Sequence, residues 1–397
     1  MWDDAPAFDD GVNAQEKFYQ AAVDLDPKFA KAWSALAGVE GWIINVALDT
    51  SPERMAKGRS AAAQAPRLAP DSPEIIVGQG DFISHADRDY PRAAEFFKRV
   101  IRLEPNNGEA HSRLADALQH QGRYAEALAE QRTASALDPA NSDIETNLRD
   151  ELKACRYFAD ALACASRIVA ADPTNLARGY EFAELKFAAT GDGRPVEAFF
   201  AGLSPAQSAV PEVRALKKDW CFNTADLKGY LRIDEDRNVK PYYTPMVPAE
   251  QAIESAIVHI LNSDPQGARI RLGTFADELK AQLESEPSND RVCSNLAAAE
   301  AVLGNRPESL RYLQRATELA LNLHDDYMVY IITWRRSVIF SLLGDKDASI
   351  AELTSMLSHQ SEFTVNELRA SCSYLPLHGD PRFEALVADP KYTKPLF

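Results

Sequence analysis

Proline recurs at a nearly constant interval in the first half of the chain. Pro70, Pro105, Pro139 and Pro173 are separated by 35, 34 and 34 residues, and each ends a closely similar stretch of sequence. Proline lacks a backbone N–H and clashes with the preceding helical turn, so it stops a helix at that point. A fixed period of this length is typical of stacked two-helix units, which build all-α solenoids.

The segment from Gly108 to Pro139 shows the internal pattern of one unit. Leu114 and Leu118 lie four residues apart, on one face of a first helix, and a glycine-containing turn follows. Ala127 and Ala134 then lie one above the other on a second helix. Small residues at these positions let two helices approach closely, so the sequence predicts an αα-hairpin.

This pattern resembles the tetratricopeptide repeat. The resemblance covers Lys31–Pro173 and returns in Asp290–Leu319 and Tyr330–Ser358. It implies an all-α fold, a right-handed α-solenoid or superhelix of tetratricopeptide helix-turn-helix repeats. The alternative, a generic helical bundle, offers no reason for a period of 34 residues.

The regularity of the repeat divides the chain into four predicted segments. Residues 1–190 form an N-terminal repeat array, and residues 191–286 form degenerate or irregular helical repeats. Residues 287–358 form C-terminal repeat units, and residues 359–397 form a capping tail. The irregular segment shows no alternating strand pattern, so we expect degenerate repeats there rather than a separate domain.

The tail carries a second resemblance. Val365–Arg369 and Tyr374–Leu386 resemble the closing segment of a family of bacterial multidomain signalling proteins, although His378 stands where that family has arginine. In that family a tetratricopeptide array follows an adenylate cyclase, a protein kinase or a winged-helix DNA-binding domain. The tail is interpreted as a cap whose apolar residues cover the last repeat, and a docking peptide is the alternative.

Charge and composition exclude several classes of protein. Among 397 residues, 59 acidic side chains face 43 basic ones, and the formal charge of −16 disfavours nucleic-acid binding. No apolar run approaches the ~20 residues that span a bilayer, and the first residues do not form a signal peptide. Five scattered cysteines fit reduced thiols. We therefore expect a cytoplasmic protein that binds neither nucleic acid nor membrane; the sequence does not specify its oligomeric state.

Motifs for chemistry are absent from the sequence. The seven histidines include no pair spaced for a helical metal site, and no Cys-x-x-Cys, P-loop or Gly-x-Ser-x-Gly occurs. We therefore predict no enzyme activity, no cofactor and no metal. An enzyme would need a polar cluster in the irregular segment, where the candidates are Tyr230, Asp234, Tyr242 and Tyr243.

The resemblance implies that the first helices of successive repeats line a concave groove that binds a partner protein or peptide. The positions of this chain that correspond to the inward face are Trp42, Phe82, His85, Glu109, Ser112, Asp116, His120, Asp143, Asp150, Lys153, Tyr180, Glu184 and Phe187. One subgroup of the family clamps a partner's terminal carboxylate with lysine and asparagine. This chain has serine or threonine and then glycine or aspartate at those positions, so the clamp is absent.

Carboxylates dominate the predicted groove. Glu109, Asp116, Asp143 and Asp150 make its middle acidic, and Lys153 is the exception. We therefore predict a basic or mixed polar partner segment, with Phe82, Tyr180 and Phe187 as aromatic anchors; the alternative is a merely solvated acidic face.

The predicted function is a non-enzymatic protein–protein interaction scaffold in bacterial signalling or regulation. The alternative is the regulatory arm of an effector enzyme or transcription regulator, whose cyclase, kinase or winged-helix domain is missing from this chain.

Overall fold

The computed structural model describes residues 8–45, 49–235, 248–323 and 325–397. Consecutive helices joined by short turns fill these ranges, and no β-strand occurs within them. The all-α class and the helical-repeat architecture predicted from the sequence are thereby confirmed. None of the helices in these ranges combines the length and apolarity needed to span a bilayer.

The helices group into two compact units. Unit 1 consists of Met1–Ile144 together with Asp325–Tyr327, and unit 2 consists of Glu145–His324 and Met328–Phe397. The four segments predicted from repeat regularity remain a prediction. Tyr242 and Tyr243 lie outside the described residues.

Unit 1 is a series of antiparallel helix pairs. Its helices are α1 (Phe8–Leu25), α2 (Ala30–Asn45), α3 (Pro52–Leu68), α4 (Pro73–Phe82), α5 (Tyr90–Leu103), α6 (Gly108–Gln119), α7 (Tyr124–Leu137) and the start of α8 (Ser142–Ala154). A short π-helical segment, Ile83–Asp87, extends α4.

The helices of unit 1 begin where their sequence provides a cap. The Asp89 carboxylate accepts a hydrogen bond from the Arg92 N–H at 3.2 Å, and Asn107 Oδ1 accepts one from the Ala110 N–H at 2.9 Å. Such caps satisfy backbone donors that a helix start leaves free. Alanines such as Ala127 are fully buried between paired helices, as the repeat pattern predicts.

Unit 2 contains the remaining helices. They are the rest of α8, α9 (Phe158–Ala171), α10 (Leu176–Thr190), α11 (Arg194–Ala201), α12 (Pro205–Ser208), α13 (Pro211–Asn223), α14 (Leu227–Asp234), α15 (Pro248–Leu261), α16 (Pro265–Leu272), α17 (Phe275–Ser285), α18 (Asp290–Val302), α19 (Arg306–Asn322), α20 (Asp326–Leu342), α21 (Lys346–Leu357), α22 (Val365–Ala370) and α23 (Pro381–Ala388), with the first two residues of α20 assigned to unit 1. Its largest apolar cluster joins α15 to α20.

A left-handed residue marks the turn inside most helix pairs. These residues have φ values of 52–81° and are Arg88, Gly122, Arg156, Gly191, Ala225, Ser263, Gly304 and Gly344. Glycine adopts this conformation freely, whereas other residues do so at a cost of about 1–2 kcal/mol. The four non-glycine residues therefore carry this conformational cost in their turns.

The C-terminal tail is packed inside unit 2. Asn366 Nδ2 of α22 donates to the Ala188 carbonyl of α10 at 3.0 Å, and the Leu396 N–H donates to the Cys155 carbonyl at 3.2 Å. Cys372 joins an apolar cluster formed by α13, α14 and α15, and α23 lies against α21. Early, middle and late helices of unit 2 therefore all contact the tail.

Candidate functional site

The first helices of unit 1 present a charged surface, which we call the acidic face: Asp81, Glu109, Arg113, Asp116 and Asp143. Arg113 Nε lies 3.2 Å from Asp81 Oδ1, and its Nη2 lies 3.6 Å from Glu109 Oε1. Asp116 and Asp143 add their negative charges to the surroundings of the same guanidinium. Four carboxylates therefore share this surface with one guanidinium, and the surface is negative.

The acidic carboxylates differ in exposure. Asp116 keeps 49% of its side chain exposed and Glu109 keeps 61%, so both are open to a binding partner. Asp81 lies deeper, and burial raises its pKa to about 6 despite the opposing charge of Arg113. A second cation near Asp81 would stabilise its ionised form.

An aromatic edge borders the acidic face. Trp42 is 39% exposed, and its ring lies edge-on to the His85 ring at 5.6 Å. Burial lowers the pKa of His85 to about 4, so this ring is neutral at pH 7. His85 Nδ1 has no hydrogen-bond partner among the described residues. The indole surface beside the carboxylates suits an alkylammonium or guanidinium group.

Five predicted groove residues are thus placed on or beside one surface of unit 1: Trp42, His85, Glu109, Asp116 and Asp143. Ser112 is buried beneath it. His120 lies at the end of α6, where its Nδ1 is 2.8 Å from Asp325 Oδ1. In unit 2, Asp150 is exposed and pairs with Arg149 at 2.8 Å.

The structure corrects the predicted aromatic anchors. The exposed fractions of Phe82, Tyr180 and Phe187 are 2%, 0% and 5%, so no partner can reach these rings. Phe82 ends α4 where the π-helical segment begins, and the extra residue in that turn changes the register of the inward face. Tyr180 and Phe187 lie two turns apart on the buried side of α10.

Unit 2 holds a second set of ionisable groups, which are partly buried except for the fully buried Tyr180, and which we call the polar interior: Lys153, Tyr180, Glu184, Asp219, Glu254 and Glu367. The Tyr180 hydroxyl lies 3.2 Å from Glu184 Oε1 and 3.2 Å from Asp219 Oδ2. A phenol has one proton to donate, so it bonds both carboxyls well when one of them is protonated. Burial raises the pKa of Glu184 to about 7 and that of Asp219 well above its usual range.

Nearby cations neutralise only part of the negative charge of these carboxylates. Lys153 Nζ bonds Glu367 Oε1 at 2.7 Å, which links α8 to the tail. Lys218 Nζ lies 2.6 Å from Asp234 Oδ1 rather than on Glu254, and burial raises the pKa of Glu254. The polar interior therefore holds protons on carboxyl groups near neutral pH.

Replacing Glu184 with glutamine tests this protonation. A carboxyl whose folded pKa is raised stabilises the fold below pH 4.5 and loses that contribution as the pH rises through about 7. Glu184→Gln should therefore flatten the fall in the stability of unit 2 between about pH 5 and pH 8, and raise its unfolding free energy at the upper pH by about 1–3 kcal/mol. Urea denaturation at several pH values measures both effects. Exposed Glu212→Gln on α13 is the control, and an unchanged slope in Glu184→Gln would contradict the assignment.

Three residues of the polar interior were not predicted from the sequence: Asp219, Glu254 and Glu367. They lie in the irregular segment and the tail, where no repeat register assigns an inward position. One signal was available, because Glu250 and Glu254 lie one turn apart on a helix whose other residues are mostly apolar. Carboxylates on such a helix indicate a polar cavity or an ion pair rather than solvent.

The side chains of the acidic face and of the polar interior are suited to recognising charged groups. No His, Cys, Asp and Glu group among the described residues suits a metal ion. Burial raises the pKa of Cys164 to about 12 and that of Cys221 to about 11, so neither is a thiolate at neutral pH. Tyr230 is fully buried, and Asp234 is held by Lys218, Ser255 and Arg271.

Comparisons with known proteins find solved structures and one family model to which this chain is similar. Among solved structures, the human IFIT1 dimer with PPP-AAAA is 15% identical, covers 78% of this chain and 68% of its own, and has a TM-score of 0.43. YrrB, a TPR protein with an unusual peptide-binding site, is 14% identical, covers 56% of this chain and 94% of its own, and has a TM-score of 0.31. No curated protein matches the sequence significantly. Residues 84–148, which carry most of the acidic face, match the family model of the tetratricopeptide repeat, as the sequence pattern predicted.

Proposed function

We propose that this protein is an interaction scaffold that binds a basic segment of a partner protein on the acidic face of unit 1. The observation that carries the proposal is the excess of carboxylates there, four against one guanidinium, beside the exposed ring of Trp42. A lysine or arginine side chain would gain attraction from Asp116 and Glu109 and could lie against the indole. Complementary charge of this kind sets partner choice and association rate.

A polypeptide fits this face better than a nucleic acid. Phosphates would meet carboxylates of the same sign, and the whole chain carries a charge of −16. The IFIT1 structures hold RNA, so a short oligoadenylate RNA is a fair competitor in the test. We expect the RNA to leave peptide binding unchanged.

The biological setting is also part of the proposal. The tail motif Tyr374–Leu386 favours a role in cytoplasmic bacterial signalling, because it resembles the ending of multidomain signalling proteins. The same motif favours a second candidate function, in which the chain is the regulatory arm of an effector enzyme or transcription regulator.

Reversing charge on the acidic face should strongly weaken peptide binding. Asp116→Lys combined with Asp143→Lys places two cations beside Arg113, and we expect affinity for lysine- and arginine-rich peptides to fall at least about tenfold. Fluorescence anisotropy with a pool of labelled basic nine-residue peptides measures the change at low salt. A matched glutamate-rich pool should not bind either protein.

The control variant carries the same charge change outside the acidic face. Glu95→Lys with Glu126→Lys alters two exposed carboxylates on the second helices α5 and α7. This variant should retain most of the affinity, with a small loss that salt removes. Equal weakening in both variants, or binding of the acidic pool, would overturn the proposal.

A further inference from the structure

Asp325 and the first two residues of α20, Asp326 and Tyr327, belong to unit 1 and lie at the end of α6. His120 Nδ1 is 2.8 Å from Asp325 Oδ1, and the Asp326 N–H donates to the His120 carbonyl at 3.0 Å. The His120 ring stacks on Tyr90 at 3.9 Å and meets the Tyr327 ring edge-on at 5.2 Å. Side-chain and backbone hydrogen bonds and ring contacts therefore hold three residues that lie more than 200 positions after His120 in the sequence.

The turn after α6 is shaped for this segment. Gly122 has φ of +69°, and a Cβ built on it would lie 1.9 Å from Asp326 Oδ2. Glycine is thus required both by the backbone conformation and by the approach of the aspartate. This close fit shows that the segment occupies a formed site on unit 1.

The charge of Asp325 needs a compensating partner within this contact. Asp325 is fully buried, and a buried carboxylate is stable only when it is paired and hydrogen-bonded. His120 Nδ1 and the Tyr90 hydroxyl both bond it. Tyr90 is a neutral donor, because burial raises its pKa far above the physiological range. A protonated His120 supplies the compensating positive charge.

Charges on every neighbouring element act on His120. Asp116 on α6 lies 3.9 Å from Nε2, Asp325 Oδ1 lies 2.8 Å from Nδ1, and the positive charge of Arg88, in the turn before α5, opposes protonation, whereas the nearby His85 ring is neutral. Burial also disfavours the charged ring, but the bond to Asp325 and the charge of Asp116 raise the pKa of His120 above its usual value.

We propose that Asp325–Tyr327 forms a pH-sensitive clasp on unit 1. The clasp is closed while His120 is protonated and paired with Asp325. A histidine with a raised folded pKa contributes full stability below its unfolded pKa of 6.5 and loses it as the pH rises through the folded pKa. The clasp therefore loosens on the alkaline side of neutrality. This is the direction of a switch that responds to a fall in proton concentration.

Hydrogen exchange of the clasp tests the proposal. Protection factors of peptides covering Asp326–Val329, corrected for intrinsic exchange rates, should fall between about pH 6 and pH 9, by about tenfold for each unit of pKa difference. His120→Gln keeps a hydrogen-bond donor and removes the titration, so its protection should be low and independent of pH. Asp325→Asn removes the buried charge and should also abolish the pH dependence.

His111→Gln is the matched control. His111 Nδ1 also bonds a carboxylate, Glu130 at 2.6 Å, in the same unit but away from the clasp. This variant should keep the wild-type pH dependence of the Asp326–Val329 peptides. A pH dependence that persists in both His120→Gln and Asp325→Asn, or wild-type protection that does not change with pH, overturns the proposal.

One consequence rests on the proposed function: opening of the clasp uncovers His120 and Tyr90 beside the acidic face, and basic peptides should then bind differently above and below neutrality. The exchange measurement uses no peptide, so it tests the clasp even where peptide binding fails. If the clasp opens with no change in peptide affinity, the clasp itself is supported and its link to peptide binding is wrong.

Discussion

Truncating Phe383 to alanine is expected to lower the unfolding free energy of unit 2 by about 3–5 kcal/mol. Phe383 is a fully buried aromatic ring of the tail. It stacks with the His378 ring at 5.7 Å and lies 6.4 Å from the Tyr374 ring. Removing it opens a cavity among groups that also bond α20, because the Tyr374 hydroxyl is 2.7 Å from Ser337 Oγ. Urea denaturation with hydrogen exchange in α8, α10 and α20 measures the loss.

The control for Phe383→Ala is Phe18→Ala in unit 1. Phe18 is 69% exposed, so the same chemical change should alter stability by no more than about 0.5 kcal/mol. The tail would instead be a detachable docking peptide if Phe383→Ala left unit 2 as stable as the wild type. Increased exchange confined to residues after Val365 would give the same answer.

Repeat spacing was sufficient to predict most of unit 1. Proline, glycine and alanine recur there for local reasons, since proline stops a helix, glycine adopts the left-handed turn and alanine permits close packing. The acidic residues Glu109 and Asp116 followed from the same register. The register failed at Phe82, where a π-helical segment adds a residue to the turn.

The polar interior of unit 2 was not predictable in the same way. Asp219 and Glu254 belong to helices of uneven length, and Glu367 belongs to a tail that contacts α8 through Lys153. These residues are brought together by contacts between distant parts of the sequence. A periodic pattern within one segment contains no information about such contacts.

The second large effect is expected from Arg156→Gly, which should lower the stability of unit 2 by about 2–3 kcal/mol although it relieves backbone strain. Arg156 has φ of +65° at a turn where several other helix pairs have glycine. Its buried guanidinium donates to the carbonyls of Leu357, the last residue of α21, and of His359 just beyond it, and lies 5.6 Å from the Tyr392 ring. Each hydrogen bond to a charged group contributes about 1.5–3 kcal/mol, more than the 1–2 kcal/mol of strain.

Ser263→Gly isolates the backbone contribution in the same unit. Ser263 has φ of +61° at an equivalent turn, and its side chain is exposed. Glycine there should raise stability by about 0.5–1 kcal/mol, opposite in sign to Arg156→Gly. Burial lowers the pKa of Arg156, so this cation is kept at an energetic cost and must be held by the carbonyls of Leu357 and His359. Stabilisation by both glycine variants would show that Arg156 does not fasten α8 to α21; opposite signs would show that the arginine was retained for its side chain.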